Sequence, residues 1–173
     1  NSDTEIILAS YVEWGEECQK KLNGMWAFAI WDERLKKLFL SRDRFGVKPL
    51  YYFFKENKFF FASELKAFMF INRENVPDFD YNNLVFSANT FFHKSSSIMQ
   101  NTFLKNVNEL NPGYQMNLDS SGKLEVKKWW STIENLIEVP KRYEEQVEKF
   151  KNLFLSACKL RLVSDAKIST SLS

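Results

Sequence analysis

The 173-residue chain is long enough for one domain with a hydrophobic core, or for one domain and part of another. Its net charge of +2 is too small to indicate nucleic acid or a membrane surface as a partner, and no apolar run approaches the roughly 20 residues of a membrane-spanning helix. Cys18 and Cys158 are far apart in sequence, so we expect no disulfide and a reducing, cytoplasmic setting.

The first predicted element is an amphipathic helix that begins at Ser2. Ser2 followed by Glu5 is the pattern of a capping box, in which the Ser side chain accepts a hydrogen bond from the first helical turn. Apolar residues then recur at helical spacing and predict one buried stripe on a continuous helix to about Leu22: Ile7, Tyr11, Trp14, Cys18 and Leu22. Cys18 is best explained as a small buried hydrophobic residue.

Alternating residues after the helix predict antiparallel hairpins. Asn23-Gly24 is typical of a tight turn, and the strand that follows it has apolar residues on both faces. Ser63 is predicted to cap a short helix over 64–70. The predicted strands of the first two hairpins are 26–31, 38–40, 51–54 and 59–62.

The second half of the chain has a weaker pattern at first and then a clear one. We expect a helix around 81–88, a turn at 119–122 and a third hairpin strand over 123–128. A long amphipathic helix after Pro140 ends near Ser164 and carries one apolar stripe: Tyr143, Val147, Phe150, Phe154, Ala157 and Leu160. Hairpins covered by helices predict a layered α+β fold.

Several motifs occur in the order found in one enzyme family. The most specific is Arg42-Asp43-Arg44-Phe45-Gly46-Val47-Lys48-Pro49-Leu50-Tyr51-Tyr52. The others are Ser2-Asp3-Thr4-Glu5, Leu22-Asn23-Gly24-Met25 with Ala27-Phe28-Ala29, Phe61-Ala62-Ser63-Glu64-Leu65-Lys66-Ala67, and Leu110-Asn111-Pro112-Gly113-Tyr114. With these strings the chain resembles glutamine-hydrolysing asparagine synthetase, a class II glutamine amidotransferase whose glutaminase half is an N-terminal-nucleophile hydrolase.

The resemblance implies the C-terminal part of an αββα layered glutaminase domain that leads into an α/β synthetase domain. We expect the glutaminase part at 1–70, its remainder and an inter-domain connection with a β-hairpin at 71–140, and the start of the synthetase domain at 141–173. The chain would be an internal fragment without the family's N-terminal Cys and without most of the pyrophosphate loop. The parent enzyme would be cytoplasmic and would use glutamine, aspartate and ATP with Mg²⁺. A homodimer is one candidate for its oligomeric state.

Asp3 is the strongest candidate for contact with a substrate. A fixed carboxylate is a natural partner for the α-ammonium group of free glutamine, and the resemblance gives Asp3 that role. The alternative is an Asp that only stabilises the first helical turn through the helix dipole. With the family context we favour glutamine binding, and the two roles are compatible.

Four further positions receive a role from the resemblance. Met25 and Val47 match positions that line the family's ammonia channel, although ordinary core residues would have the same character. Leu172 and Ser173 match the edge of the ATP site, where Ser173 would begin the backbone cradle for pyrophosphate. Lys167, Ser169 and Thr170 depart from the family's usual residues before this loop.

We expect no catalytic residue and no metal ligand in this piece. An N-terminal nucleophile must be Cys, Ser or Thr, and Asn1 is none of these. Cys18 and His93 are best explained as a core thiol and a surface imidazole. Arg42 and Asp43 are expected to fix a loop by hydrogen bonds, because buried charges usually occur in pairs.

Three alternative functions remain open at this stage. One is an amidotransferase of the same type that acts on a different carboxylate. The second is an RNA-binding module, since the aromatic strand 24–31 faintly resembles a strand of an RNA-recognition motif. The third is a non-catalytic domain for protein contacts. Expressed alone, the chain is expected to aggregate, because its sheets would have unpaired edges.

Overall fold

Two antiparallel sheets form the centre of the first part of the molecule. The computed structural model describes residues 2–71, 73–82, 84–85, 102–162 and 169. The chain divides into two compact units, Asn1–Ser131 and Thr132–Ser173. The helices are α1 (Asp3–Trp14), α2 (Cys18–Lys21) and α3 (Tyr143–Arg161). The strands are β1 (Ala27–Asp32), β2 (Lys37–Arg42), β3 (Tyr51–Lys55), β4 (Lys58–Ala62), β5 (Asn108–Glu109), β6 (Tyr114–Asp119) and β7 (Leu124–Lys128).

The N-terminal helix begins as predicted but does not continue to Leu22. The Glu5 N–H donates to the Ser2 side chain at 3.4 Å, which confirms the cap. Gly15 has φ +57°, in the left-handed region that favours glycine, and it ends α1. A 3-10 turn over Gly15–Glu17 then leads into α2. Because the helix is broken here, Trp14 is 46% exposed and the prediction of a single stripe through it is wrong, whereas Cys18 is fully buried as predicted.

The hairpins lie where the alternation predicts them, and together they make two sheets. The larger sheet has the strand order β1-β2-β6-β7, and the smaller one has the order β4-β3-β5. In the larger sheet Ala29 lies opposite Leu40, and Leu40 lies opposite Met116. In the smaller sheet Tyr52 lies opposite Phe61. The third hairpin, β6–β7, therefore joins the same sheet as the first one.

The alternating side chains of each strand define the layers. Phe39 points towards the helices and packs with Tyr11 and Cys18. Its neighbour Leu40 points to the opposite face and packs with Leu50 of the segment that leads into the smaller sheet. On the far side of the smaller sheet a third cluster contains Phe53, Phe68, Leu104 and Val107. The order helix, sheet, sheet, outer cluster confirms the α+β class.

Two predicted elements after β4 differ from the structure. The short helix predicted over 64–70 is present as a 3-10 helix, Leu65–Phe70. Its N-cap position is Glu64, without a side-chain hydrogen bond, so the prediction that Ser63 caps it is wrong. Of the helix predicted over 81–88, residues 81–82 and 84–85 are helical, and the rest of it lies outside the described residues.

The second unit contains α3, which lies after Pro140 as predicted, begins at Tyr143 and ends at Arg161 rather than near Ser164. The large side chains of its predicted apolar stripe are exposed: Tyr143, Val147, Phe150, Phe154 and Leu160. Both cysteines are free. In the part of the chain that the structure describes, no helix is long and apolar enough to cross a membrane, and no group of His, Cys, Asp and Glu side chains could hold a metal ion.

Candidate functional site

The buried carboxylate of Asp43 organises the loop that follows β2. Its Oδ1 accepts hydrogen bonds from the backbone N–H groups of Phe45 at 3.0 Å and Val47 at 3.1 Å. Its Oδ2 accepts from the N–H groups of Lys48 at 3.0 Å and Trp26 at 3.3 Å. Asp43 is 1% exposed, so these N–H groups replace the water that a charged carboxylate needs. The carboxylate is therefore a structural acceptor.

Arg42 completes the same loop from the other side. Its guanidinium donates to the carbonyl oxygens of Lys48 at 2.8 Å and Gly46 at 2.9 Å, and to that of Leu110. It also forms an ion pair with Glu109 at 2.7 Å. The prediction that Arg42 and Asp43 fix a loop by hydrogen bonds is confirmed. Asp43 thus binds the N–H groups of the backbone over 43–48, and Arg42 binds carbonyl oxygens of the same segment.

Gly46 permits this close packing. It has φ +65°, and a Cβ at this position would lie 2.7 Å from Pro112 Cγ and 3.0 Å from Arg42 Nη2. Any side chain here would therefore push apart the turn at Pro112 and the guanidinium. The motif string 42–52 and the string 110–114, which are far apart in sequence, meet at this point.

Arg44 points away from this loop and into a group of indoles. Its guanidinium carbon lies 4.8 Å from the ring centroid of Trp130, 5.2 Å from that of Trp129 and 5.7 Å from that of Trp26. The rings of Trp26 and Trp129 are stacked, with centroids 5.7 Å apart. Burial among these rings lowers the pKa of Arg44, and the neighbouring Asp43 opposes that shift. We call these four residues the tryptophan box.

A chain of hydrogen bonds leads from the tryptophan box to Glu16. The Trp26 Nε1–H donates to Ser41 Oγ at 3.2 Å, and the Ser41 hydroxyl donates to Gln19 Oε1 at 2.5 Å. Gln19 Nε2 donates to Gln115 Oε1, and Gln115 Nε2 donates to Glu16 Oε2 at 2.7 Å. Ser41, Gln19 and Gln115 are buried. All four hydrogen bonds of this series therefore run in one direction, each donated towards the carboxylate of Glu16.

Glu16 ends the chain as a charged acceptor. It also forms an ion pair with Lys37 and accepts from Asn117 Nδ2 at 3.0 Å. Burial by itself would raise the pKa of Glu16, but the hydrogen bonds from Lys37, Asn117 and Gln115 together lower it below its ordinary value. The carboxylate therefore stays ionised and orients the amides that donate to it.

The structure brings two of the predicted site positions together. Val47 donates its N–H to Asp43, and Met25 directly precedes Trp26, whose N–H is bound by the same carboxylate. Met25 is 57% exposed and Val47 is 54% exposed, so neither side chain is buried within this unit. Phe45, on the same loop, is also exposed. These three apolar side chains are exposed on backbone segments that bind the same carboxylate.

Asp3, the predicted glutamine-binding residue, belongs to another element. Asp3 is exposed in the first turn of α1, where the helix N-terminus favours a negative charge. The predicted ATP-site residues Leu172 and Ser173 lie outside the described residues, as does His93. Cys18 is packed beneath α1, and burial raises the pKa of its thiol, so the reading as a core thiol is confirmed.

The RNA-binding alternative does not fit the sheet. Trp26 and Phe28 would have to offer an open aromatic face to bases, but Trp26 is buried and Phe28 packs with Tyr11 and Phe39 beneath α1. A covered face cannot stack on a nucleobase.

The sequence alone does not predict the tryptophan box. Trp129-Trp130 directly after β7 is its one visible signal, and nothing in that dipeptide indicates that Arg44 and Trp26 are its partners.

The family comparison agrees with the architecture. Residues 1–130 match the family model described as a glutamine amidotransferase domain. In fold, the chain is similar to glutamine phosphoribosylpyrophosphate amidotransferase from Bacillus subtilis, with a TM-score of 0.50 and 17% identity over 75% of this chain and 23% of that one. At this identity the likeness concerns the fold alone.

Curated relatives match almost the whole chain. Glutamine-hydrolysing asparagine synthetase 3 of Bacillus subtilis is 34% identical over 99% of this chain and 27% of its own length. A putative glutamine-hydrolysing asparagine synthetase 2 of Methanocaldococcus jannaschii is 36% identical over 99% of this chain and 33% of its own length. Amidase chyE of Penicillium rubens is 30% identical over 99% and 25%. The chain thus spans a quarter to a third of the length of these relatives.

Proposed function

Since the chain belongs to the glutamine amidotransferase domain family, we propose that it acts as part of a glutamine-hydrolysing asparagine synthetase. The reaction would be aspartate, glutamine and ATP to asparagine, glutamate, AMP and pyrophosphate. The observation that supports this proposal most strongly is the identity of 34% and 36% to two proteins named for this activity, each over 99% of the chain. A cytoplasmic, homodimeric parent enzyme is part of the same proposal.

In this proposal Asp3 binds the α-ammonium group of glutamine. A carboxylate in the first turn of a capped helix is held in one position and remains accessible, which suits a charge-assisted hydrogen bond to a substrate ammonium. The α-ammonium group of glutamine would then be paired with the carboxylate of Asp3, and Asp3 would not have to be buried. Glutamine would be oriented by its amino-acid end, while its amide is presented to a nucleophile.

Met25 and Val47 would line the route of the released ammonia. Ammonia has to travel as the neutral molecule, so an apolar lining that excludes water and proton donors is required. The two side chains protrude from backbone segments bound to one carboxylate, and this supports a fixed lining in preference to a mobile one. Leu172 and Ser173 would contact ATP, with Mg²⁺, at the other end of the route. ATP supplies the free energy that activates the aspartate carboxylate.

The test uses the complete gene product that contains this chain. We expect glutamate release from glutamine, and asparagine formation from aspartate and ATP with either glutamine or ammonium as nitrogen donor. Pyrophosphate should appear in equal amount to asparagine. Glutamate release without any ATP-dependent amide product would contradict the proposal.

A second candidate is an amidotransferase of the same type with another acceptor carboxylate. It is favoured by one observation, namely that relatives named amidase match the chain about as fully as the synthetases do. A panel of carboxylic acids, assayed for pyrophosphate release with ammonium, separates the two candidates. Preference for aspartate supports the first, and a better turnover with another acid supports the second.

A further inference from the structure

Arg44 joins three segments that are distant in sequence. Its Nη1 donates to the carbonyl oxygen of Leu22 at 2.8 Å, and its Nη2 donates to that of Lys20 at 3.4 Å, at the end of α2. The same guanidinium lies over Trp26 at the start of β1 and over Trp129 and Trp130 after β7. The Arg44 side chain therefore contacts the end of α2, the start of β1 and the segment directly after β7.

The segment directly after β7 is also held by backbone hydrogen bonds. The N–H groups of Trp129 and Trp130 donate to the Gly113 carbonyl at 2.9 and 3.1 Å, and the Trp129 indole donates to the Arg42 carbonyl at 3.2 Å. Gly113 in turn donates its N–H to the Asp43 carbonyl at 2.9 Å. The tryptophan box is thus bonded directly to the loop that carries Phe45 and Val47.

Arginine suits this position for a geometric reason. A guanidinium is planar, so it can donate to two carbonyls along its edge while its face lies on aromatic rings. A lysine ammonium can lie near the rings, but it is a point charge and lacks the fork that reaches both carbonyls. Alanine would remove both interactions and leave a gap between the indoles.

We propose that Arg44 is a positioning residue for ammonia transfer: it locks the tryptophan box against the Asp43 loop and so keeps Met25 and Val47 in place along the ammonia route. This inference rests on the proposed function. It predicts that Arg44 acts on the coupling between glutamine hydrolysis and amide formation, since the contacts described for its side chain go to Lys20, Leu22 and the three indoles and not to Asp3.

The experiment measures glutamate released per asparagine formed in the complete gene product. We expect a ratio near one in the wild type and a rise of roughly 2- to 30-fold in Arg44→Ala. Arg44→Lys should give a smaller rise, because it retains the charge over the rings. Asparagine formation from aspartate, ATP and ammonium should be unchanged in both variants. Arg34→Ala is the matched control, since this arginine is exposed and makes one ion pair, with Asp32.

The stacked indoles give a readout that needs no acceptor substrate. Trp26 and Trp129 are stacked with ring centroids 5.7 Å apart, close enough for their indole transitions to couple, so they should produce an exciton couplet in circular dichroism. The couplet should weaken in Arg44→Ala and persist in Arg34→Ala. A couplet that is unchanged in Arg44→Ala overturns the inference.

The outcomes separate this inference from the proposed function. If the wild type forms asparagine and Arg44→Ala lowers both activities together with an unchanged ratio, the role is general stability and the inference is wrong. If the wild type forms no asparagine, the proposed function fails, and the couplet then decides whether Arg44 locks the box.

Discussion

Asp43 and Trp26 are joined by a reciprocal pair of hydrogen bonds. The Asp43 N–H donates to the Trp26 carbonyl at 2.9 Å, and the Trp26 N–H donates to the Asp43 carboxylate at 3.3 Å. The pair closes the β1–β2 hairpin at its open end, one residue beyond the Ala27–Arg42 pairing. The position of Met25 and the conformation of the loop after β2 therefore depend on the same residue.

Replacing Asp43 should destabilise the first unit strongly. Asp43→Ala leaves the N–H groups of Phe45, Val47, Lys48 and Trp26 without their acceptor. A buried unpaired group costs about 1–3 kcal/mol, and the bonds to Phe45, Val47 and Lys48 are only partly buried and should cost less. Allowing for relaxation and water entry, we expect a loss of about 3–5 kcal/mol in the free energy of unfolding. Urea denaturation followed by circular dichroism measures it.

Asp119 provides the control for Asp43. Its Oδ1 accepts the N–H groups of Ser121 at 2.9 Å and Lys123 at 3.0 Å, but in an exposed turn where water can replace the acceptor. Asp119→Ala should therefore cost about 1 kcal/mol. Equal losses for the two variants would show that burial of the Asp43 carboxylate does not set its contribution.

Gly46→Ala should cost more than a glycine substitution that only strains the backbone. Both Gly46 and Gly122 have positive φ, +65° and +83°, but an added Cβ at Gly122 meets nothing within 4 Å. We expect about 1 kcal/mol for Gly122→Ala from the backbone alone and about 1–3 kcal/mol more for Gly46→Ala from overpacking against Pro112 and Arg42. Thermal unfolding of the two variants gives the difference. A Gly46→Ala variant as stable as Gly122→Ala would contradict the close packing of this loop.

Asp3→Asn should impair the use of glutamine without affecting the use of ammonium. Loss of one charge-assisted hydrogen bond, about 1.5–3 kcal/mol, corresponds to a fall of roughly 10- to 100-fold in kcat/KM for glutamine. Steady-state kinetics with each nitrogen donor on the complete gene product would measure this. Glu13→Gln, which removes an exposed charge from the same helix, is the control. If both variants have the same small effect, Asp3 serves only the helix.

The stability of the first unit should fall at alkaline pH because of Tyr11. Burial, followed by the nearby charge of Asp32, raises the pKa of Tyr11 from 10.0 to about 12. A group whose pKa is higher in the folded state stabilises the fold fully below its unfolded pKa, and this stabilisation is lost as pH rises from about 10 to about 12. The free energy of unfolding should therefore decrease across this window.

Tyr11→Phe should remove that component of the pH dependence. The variant has no phenol to ionise at this position, so its free energy of unfolding should change less between pH 10 and pH 12 than that of the wild type. Tyr81→Phe, at an exposed position, should retain the wild-type slope. An identical slope in all three proteins would show that Tyr11 is not the group responsible.

The sequence predicts the hairpins well, since period-two alternation fixes which faces are apolar, and register follows from that. It also predicts the structural role of Arg42 and Asp43. It does not predict the break at Gly15, because an isolated glycine in a helical pattern is usually tolerated, and its positive φ appears only in the folded chain. Nor does it predict the tryptophan box, whose partners are brought together by tertiary contacts between Arg44 and residues up to 86 positions away.

The sequence predicts only part of the candidate site. Family strings point to Met25 and Val47 separately, but their shared attachment to Asp43 appears only in the folded chain. The exposure of both side chains could not be inferred either, because apolar residues beside a strand are ordinarily read as core. The assignments of Asp3, Leu172 and Ser173 stay predictions.

The hydrogen-bond chain from Trp26 to Glu16 has a direction, and this has a consequence for how the sequence can change. Turning over the amide of Gln19 or Gln115 would place donor against donor and acceptor against acceptor inside the fold. A replacement at one of these positions is therefore compatible only with a matching replacement at the next. We expect Glu16, Gln19, Ser41 and Gln115 to be inherited together, as a set, in close relatives of this protein.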